Sequence, residues 1–255
     1  MALVVITRFR ACEKRMNPQD NAVFAPPIPE YTTLKPVPPK QLHQCEFEHR
    51  KMIDNPQPDY RFTELDPDLL STPFRVQTNW HVITGGPCSG KSTLIDQLAN
   101  QGFRTVPESA RLYIEREMAK GRVNHPIRVN AAALQRSIKD MQLRIEDGLR
   151  ADDVLFLDGA VPGSLAWYRV YGLNPNEILL DCFHHRYASV FMLDPISFQP
   201  DDQRVEEMVS ITGYLDEWHT RDYSALGYSV VRVPVLPPEE RLAFVLERLS
   251  EQGLI

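Results

Sequence analysis

Residues 85–92 read Gly85-Gly86-Pro87-Cys88-Ser89-Gly90-Lys91-Ser92, a complete match to the phosphate-binding loop G-x-x-x-x-G-K-[ST]. No other stretch narrows the available folds so far, because such a loop requires a strand before it and a helix after it. Both are legible. Trp80-His81-Val82-Ile83-Thr84 is a short apolar β-type run, and Leu94, Ile95 and Leu98 follow at helical spacing. Each constrained position has a task on a nucleoside triphosphate. Gly85 and Gly90 let the backbone reverse and aim successive N–H groups at phosphate oxygens. Lys91 brings an ammonium to the β- and γ-phosphates, and the Ser92 hydroxyl can ligate Mg²⁺. The helix that begins there adds its positive N-terminal dipole. The expected nucleotide-binding residues are therefore Gly85, Gly86, Pro87, Cys88, Ser89, Gly90, Lys91, Ser92 and Thr93.

The remaining composition excludes more than it proposes. In 255 residues the formal net charge is -6, which argues against binding nucleic acid by bulk attraction. No apolar run approaches a membrane span, and Ala2-Leu3-Val4-Val5-Ile6 is too short for a signal core and is followed by Arg8 and Arg10. A cytoplasmic protein without a membrane partner is expected. Cys12, Cys45, Cys88 and Cys182 are scattered without a C-x-x-C pair, which disfavours zinc and a disulfide frame. Cys88 lies inside the loop, either as a small residue that fits or as a thiol acidified by the surrounding amides and Lys91.

Proline divides the chain. Eleven of the 21 prolines precede residue 75, in runs such as Pro26-Pro27-Ile28-Pro29 and Pro36-Val37-Pro38-Pro39. Proline removes backbone donors, so residues 1–77 are predicted to be an irregular extension. Its aromatics, among them Phe24, Tyr31, Tyr60 and Phe62, favour packing on the main domain, partly as an edge strand, over a flexible tail. From residue 78 to 255, strand and helix alternate. Strands are predicted at 80–84, 103–106, 154–157, 190–193 and 228–233. Helices are predicted over 108–120, through Leu134, Ile138, Met141, Ile145 and Leu149, over 202–220, and from Pro238. That alternation implies an α/β domain with a five-stranded parallel sheet and helices on both faces, with ligands beyond the C-terminal strand ends.

Four side chains are the catalytic candidates: Lys91, Glu108, Asp158 and Arg204. Asp158 ends the run Val154-Leu155-Phe156-Leu157, where a phosphate-loop protein places the acid that holds Mg²⁺, unless it merely caps the next helix. Ser92 and Asp158 are thus the metal candidates. Glu108 follows the second strand and can orient or deprotonate an acceptor hydroxyl, or serve as a helix-start carboxylate. Arg111, one turn later, can pair with Glu108 or hold an anionic substrate group bidentately, or simply lie on the surface. Among Arg186, Arg204 and Arg221, Arg204 is preferred as the lid cation, because Asp201-Asp202-Gln203-Arg204 opens a long helix after the fourth strand. His184-His185, expected on a helix, would point about 100° apart and make a poor metal site. Trp167, Tyr168 and Tyr171 suit a core better than a substrate ring.

Ile83 to Ile95, Val106-Pro107-Glu108-Ser109-Ala110-Arg111 and Phe156 to Tyr168 resemble the AAA-domain P-loop ATPase/kinase family related to the nicotinamide riboside kinase domain of NadR-type proteins. The resemblance covers about residues 80–250. It implies a P-loop NTPase close to small-molecule and nucleoside-monophosphate kinases, with ATP (GTP as the alternative) and Mg²⁺ as cofactors. A riboside- or nucleoside-like hydroxylated metabolite would be the acceptor. The chain departs from the family pattern at Gly159 and Gly163, where an arginine and a second acid are usual. A nucleotide-switched module is the competing expectation, its N-terminal arm engaging a protein partner or a second copy.

Overall fold

Runs of β-branched and aromatic residues, too apolar to leave in water, set the centre of the molecule. A computed structural model describes residues 59–119, 131–196 and 203–255, with the backbone alone at 118 and 203–210. They belong to one compact unit, Gln57–Ile255. Residues 1–58, Asp201 and Asp202 lie outside the described residues, as does the Arg204 side chain. The first half runs α1 (Pro67–Leu70), β1 (Val76–Gln77), β2 (Trp80–Thr84), α2 (Lys91–Asn100), β3 (Arg104–Val106), α3 (Ser109–Ala119) and α4 (Ala131–Asp147). It continues through β4 (Leu155–Asp158), α5 (Gly163–Val170), a 3₁₀ helix (Pro175–Phe183), β5 (His185–Arg186) and β6 (Ser189–Leu193). Last come α6 (Gln203–Ala225), β7 (Val230–Val233) and α7 (Pro238–Glu251).

The main sheet has five parallel strands in the order β3-β4-β2-β6-β7. Val82 on β2 lies opposite Leu157 on β4 and Val190 on β6. Every residue of β2, β4 and β6 is buried, as parallel strands covered on both faces must be. From β2 the chain crosses to one side and later returns to the other, so the C-terminal end of β2 is the point where the winding reverses. The phosphate loop sits there.

Alternation along the strands divides the core. Trp80, Val82, Leu155, Leu157 and Val190 face a layer built from α4, α5, the 3₁₀ helix and Tyr223 and Leu226 of the α6 region. Ile83, Phe156, Phe191 and Leu193 face Leu94, Ile95 and Leu98 of α2 and Val245 and Leu249 of α7. The period of two on the strands meets the period of 3.6 on the helices, so each helix needs only one apolar stripe.

The 3₁₀ helix and the strand at His185 were not expected. The 3₁₀ helix starts where Asn174 caps the chain and Pro175 pre-sets its φ. His184-His185 is not helical throughout: His185 opens β5, which pairs with β1 in a separate two-stranded sheet. Residues 59–77 pack on the domain, with Leu65 in the core and the Phe74 ring 5.0 Å from Phe183. Among the described residues, no helix is long and apolar enough to cross a membrane.

Candidate functional site

The loop after β2 has the backbone that its glycines permit. Gly85 stands at φ 142°, where a Cβ would come within 2.8 Å of the Leu193 carbonyl oxygen, and Gly90 stands at φ 91° as the N-cap of α2. Cys88, exposed at φ 58°, is the one non-glycine in the left-handed region among the described residues. Lys91 folds back over the loop, its Nζ donating to the carbonyl oxygens of Gly85 at 3.0 Å and Gly86 at 2.8 Å. Burial lowers its pKa, while Glu108 and Asp158 oppose that shift.

Asp158 ends β4 beside the loop, 5% exposed, and its Oδ1 has no hydrogen-bond partner. Burial, reinforced by the Glu108 carboxylate, pushes its pKa up to about 6, with Lys91, Arg111 and the Ser92 hydroxyl pulling the other way. Glu108 stands at the end of β3, just before α3. Arg111, on the first turn of α3, donates from Nη2 to Ser92 Oγ at 3.3 Å. The fold therefore gathers Lys91, Ser92, Glu108, Arg111 and Asp158 from three separate segments at one end of the sheet.

Other candidates lie elsewhere. Arg186 donates to the carbonyls of Leu226 and Gly227 and stacks on Tyr228 at 4.1 Å. Arg221 pairs with Glu64 and covers the Trp218 ring. Both cations are engaged away from the loop, whereas Arg204 is described only as the second residue of α6. Tyr168 is buried, and Trp167 stacks on Tyr171 at 6.0 Å. At Gly159 nothing lies within 4 Å of where a Cβ would stand, and at Gly163 only Tyr223 Oη does, at 4.0 Å.

Three supports escaped the sequence. Glu146, fully buried, accepts from Gln142 Nε2 at 2.8 Å, the Val161 amide at 3.0 Å and the Tyr187 hydroxyl at 2.7 Å, anchoring the turn after Asp158. His219 Nε2 lies 3.1 Å from the Gly163 carbonyl oxygen. A carbonyl only accepts, so Nε2 carries the proton; burial lowers the ring's pKa to about 4 and keeps it neutral. Arg241 of α7 is bound to backbone carbonyls around the phosphate loop. Its signal was present, since 241, 245 and 249 share one face of the last helix with Val245 and Leu249. An arginine at a core-facing position has a specific partner or it would not be there.

The residues fit Mg²⁺. The partnerless buried Asp158 Oδ1 and the Ser92 hydroxyl are hard oxygen donors. A metal completed by phosphate oxygens and water needs no more than one or two such groups from the protein.

A family model described as "AAA domain" matches residues 80–241, spanning β2 to α7. Among solved structures, a NadR protein in complex with NR superposes with a TM-score of 0.51 at 18% identity. That match covers 82% of this chain and 59% of that one, so the chain spans under two thirds of its length. Thymidylate kinase from Candida albicans gives a TM-score of 0.48 at 12% identity, covering 69% of this chain and 93% of that one. Shikimate kinase from Aquifex aeolicus gives 0.41 at 18%, covering 69% and 98%. At these identities the NadR likeness is one of fold. A comparison with curated proteins finds no match.

Proposed function

Since the chain belongs to the AAA domain family, matched over residues 80–241, we propose that it is an ATP-dependent phosphotransferase acting on a small hydroxylated metabolite, riboside- or nucleoside-like. The observation that carries the reading is Asp158: a buried carboxylate, one oxygen without a partner, set beside Lys91 and Ser92 of the phosphate loop. In this reading Gly85 to Thr93 hold the triphosphate, with Lys91 on the β- and γ-phosphates. Ser92 and Asp158 would hold Mg²⁺, which supplies charge neutralisation on the phosphates when bound. Glu108 takes the proton of the acceptor hydroxyl while its oxygen forms a bond to the γ-phosphorus and the bond to the β-phosphate oxygen breaks, leaving ADP. Arg111 steadies an anionic or hydroxyl-bearing part of the acceptor, and Arg204 closes over the γ-phosphate from the start of α6. ATP is the expected donor, with GTP as the alternative; a GTPase ranks low, since the sequence has no N-K-x-D base-reading motif.

A second reading, a nucleotide-switched module that regulates a protein partner, draws support from Gly159 and Gly163, which lack the family's arginine and acid. One assay separates the two. ATP consumption is followed with Mg²⁺ while nucleosides, ribosides and short-chain alcohols are added in turn. A kinase accelerates with its acceptor and loses that turnover in Lys91→Ala. A rate indifferent to every acceptor but raised by a protein partner would favour the switch, and an unaltered Lys91→Ala would sink both.

A further inference from the structure

Arg241 is 4% exposed, yet its three acceptors are backbone carbonyl oxygens and not carboxylates. From α7 it donates through Nε to Pro234 at 2.9 Å, through Nη2 to Asp194 at 3.2 Å, and through Nη1 to Ser89. Pro234 follows β7 and Asp194 follows β6, so the planar guanidinium ties two strand ends to the middle of the phosphate loop. Burying a guanidinium has a large desolvation cost, offset here by a fork of donors that fits three fixed carbonyls. The Asp194 carboxylate, which would otherwise compete, is engaged by Arg232, whose Nη1 also reaches Asp216 on α6 at 3.1 Å.

The Ser89 carbonyl is the consequential partner. A trans peptide is planar, and its C=O and N–H point in opposite directions. Holding the Ser89 oxygen against Arg241 therefore turns the Gly90 N–H the opposite way, away from α7 and toward the inside of the loop. Gly90 itself backs onto the guanidinium: a Cβ there would come within 3.1 Å of Arg241 Nη1. The cation thus stands directly behind the loop, where it adds positive potential as well as orientation.

We propose that Arg241 is a positioning residue for the phosphate loop, which aims the Gly90 amide at the β-phosphate of a bound nucleoside di- or triphosphate. The proposal rests on the nucleotide-binding reading above. It is tested on the full chain by calorimetric titration of ATP, ADP and AMP with Mg²⁺ against wild type, Arg241→Met and Arg241→Lys. The expected result is a Kd for ATP and ADP raised about tenfold or more in Arg241→Met, the scale of one lost charge-assisted hydrogen bond. AMP, which places no β-phosphate in the loop, is expected to change by less than about threefold. Arg241→Lys keeps the charge but cannot span three carbonyls, so it recovers only part of the loss. Unchanged ATP and ADP affinity in Arg241→Met, or an equal loss for all three nucleotides, overturns the proposal. Full recovery by lysine would also overturn it, leaving charge alone as the cause. If Arg241→Met does not fold, Arg241→Lys decides by the same ATP-to-AMP comparison. A wild type that binds none of the three overturns the nucleotide-binding reading, and this proposal with it.

Discussion

Asp158 is held in a state that does not favour folding. Its carboxyl is pushed up to about 6 from 3.8, so the folded chain binds the proton more tightly than the unfolded chain. Stability is then lost as pH rises from about 4 through 6 and stays lost above. At neutral pH the loss amounts to about 3 kcal/mol at most. Asp158→Asn keeps the shape and removes the charge. Without nucleotide, the variant should match wild type at pH 4 and exceed it by about 1–3 kcal/mol at pH 7.5, measured by urea unfolding at both values. Taking the difference between the proteins cancels His81 and His219, whose lowered values (about 4 each) act oppositely, losing stability as pH falls from 6.5 through 4. The same substitution should cut phosphoryl transfer by roughly 100-fold, the usual scale for a lost electrostatic contact in a transition state. A variant no more stable than wild type at pH 7.5 would contradict the strained carboxylate.

At the scale of elements, α5 and α6 are joined by more than the apolar packing of Ala166 against Leu215 and Trp218. Arg169 donates to both oxygens of Asp222, at 2.6 and 2.9 Å, in a pair closed to water. The guanidinium also donates to the Thr63 carbonyl at 2.8 Å and lies 3.9 Å from the Trp218 ring centroid. One side chain thus connects residues before β1, α5 and α6. Asp222→Ala leaves a buried cation without its counter-ion and should cost about 3–5 kcal/mol in chemical denaturation. Replacing both partners, as Arg169→Met with Asp222→Leu, should restore much of that stability. If the single variant lost under about 1 kcal/mol, the pair would not be the joint described here. None of this was visible in sequence, where Arg169 sits in an apolar helical segment and Asp222 in a charged one. A buried ion pair couples positions 53 residues apart, and periodicity carries no record of such partners.

For the whole molecule, ligand binding and stability are linked. ATP·Mg²⁺ at about 100 times its Kd should add about 2.7 kcal/mol to the folded state, which for a unit of this size is a rise in Tm of about 5–10 °C. Lys91→Ala should abolish the rise, and a wild type that shows none would contradict nucleotide binding. The sequence alone was enough for the sheet, the helices on both faces, the loop and the rank of Lys91, Ser92, Glu108 and Asp158 as candidates. Those follow from local constraints: strands buried on both faces are apolar runs, helices repeat every three to four residues, and a phosphate loop needs its glycines and lysine in fixed order. Only the tertiary structure decided that Arg186 and Arg221 serve other contacts, that Glu146 and His219 brace the turn from Asp158 to Gly163, and that Arg241 backs the loop from behind. Each of these is a polar side chain whose partner lies far away in the chain. For Glu146, His219 and Arg241 the partner is chosen by burial, which demands that every donor and charge find an acceptor, and burial exists only once the chain has closed on itself.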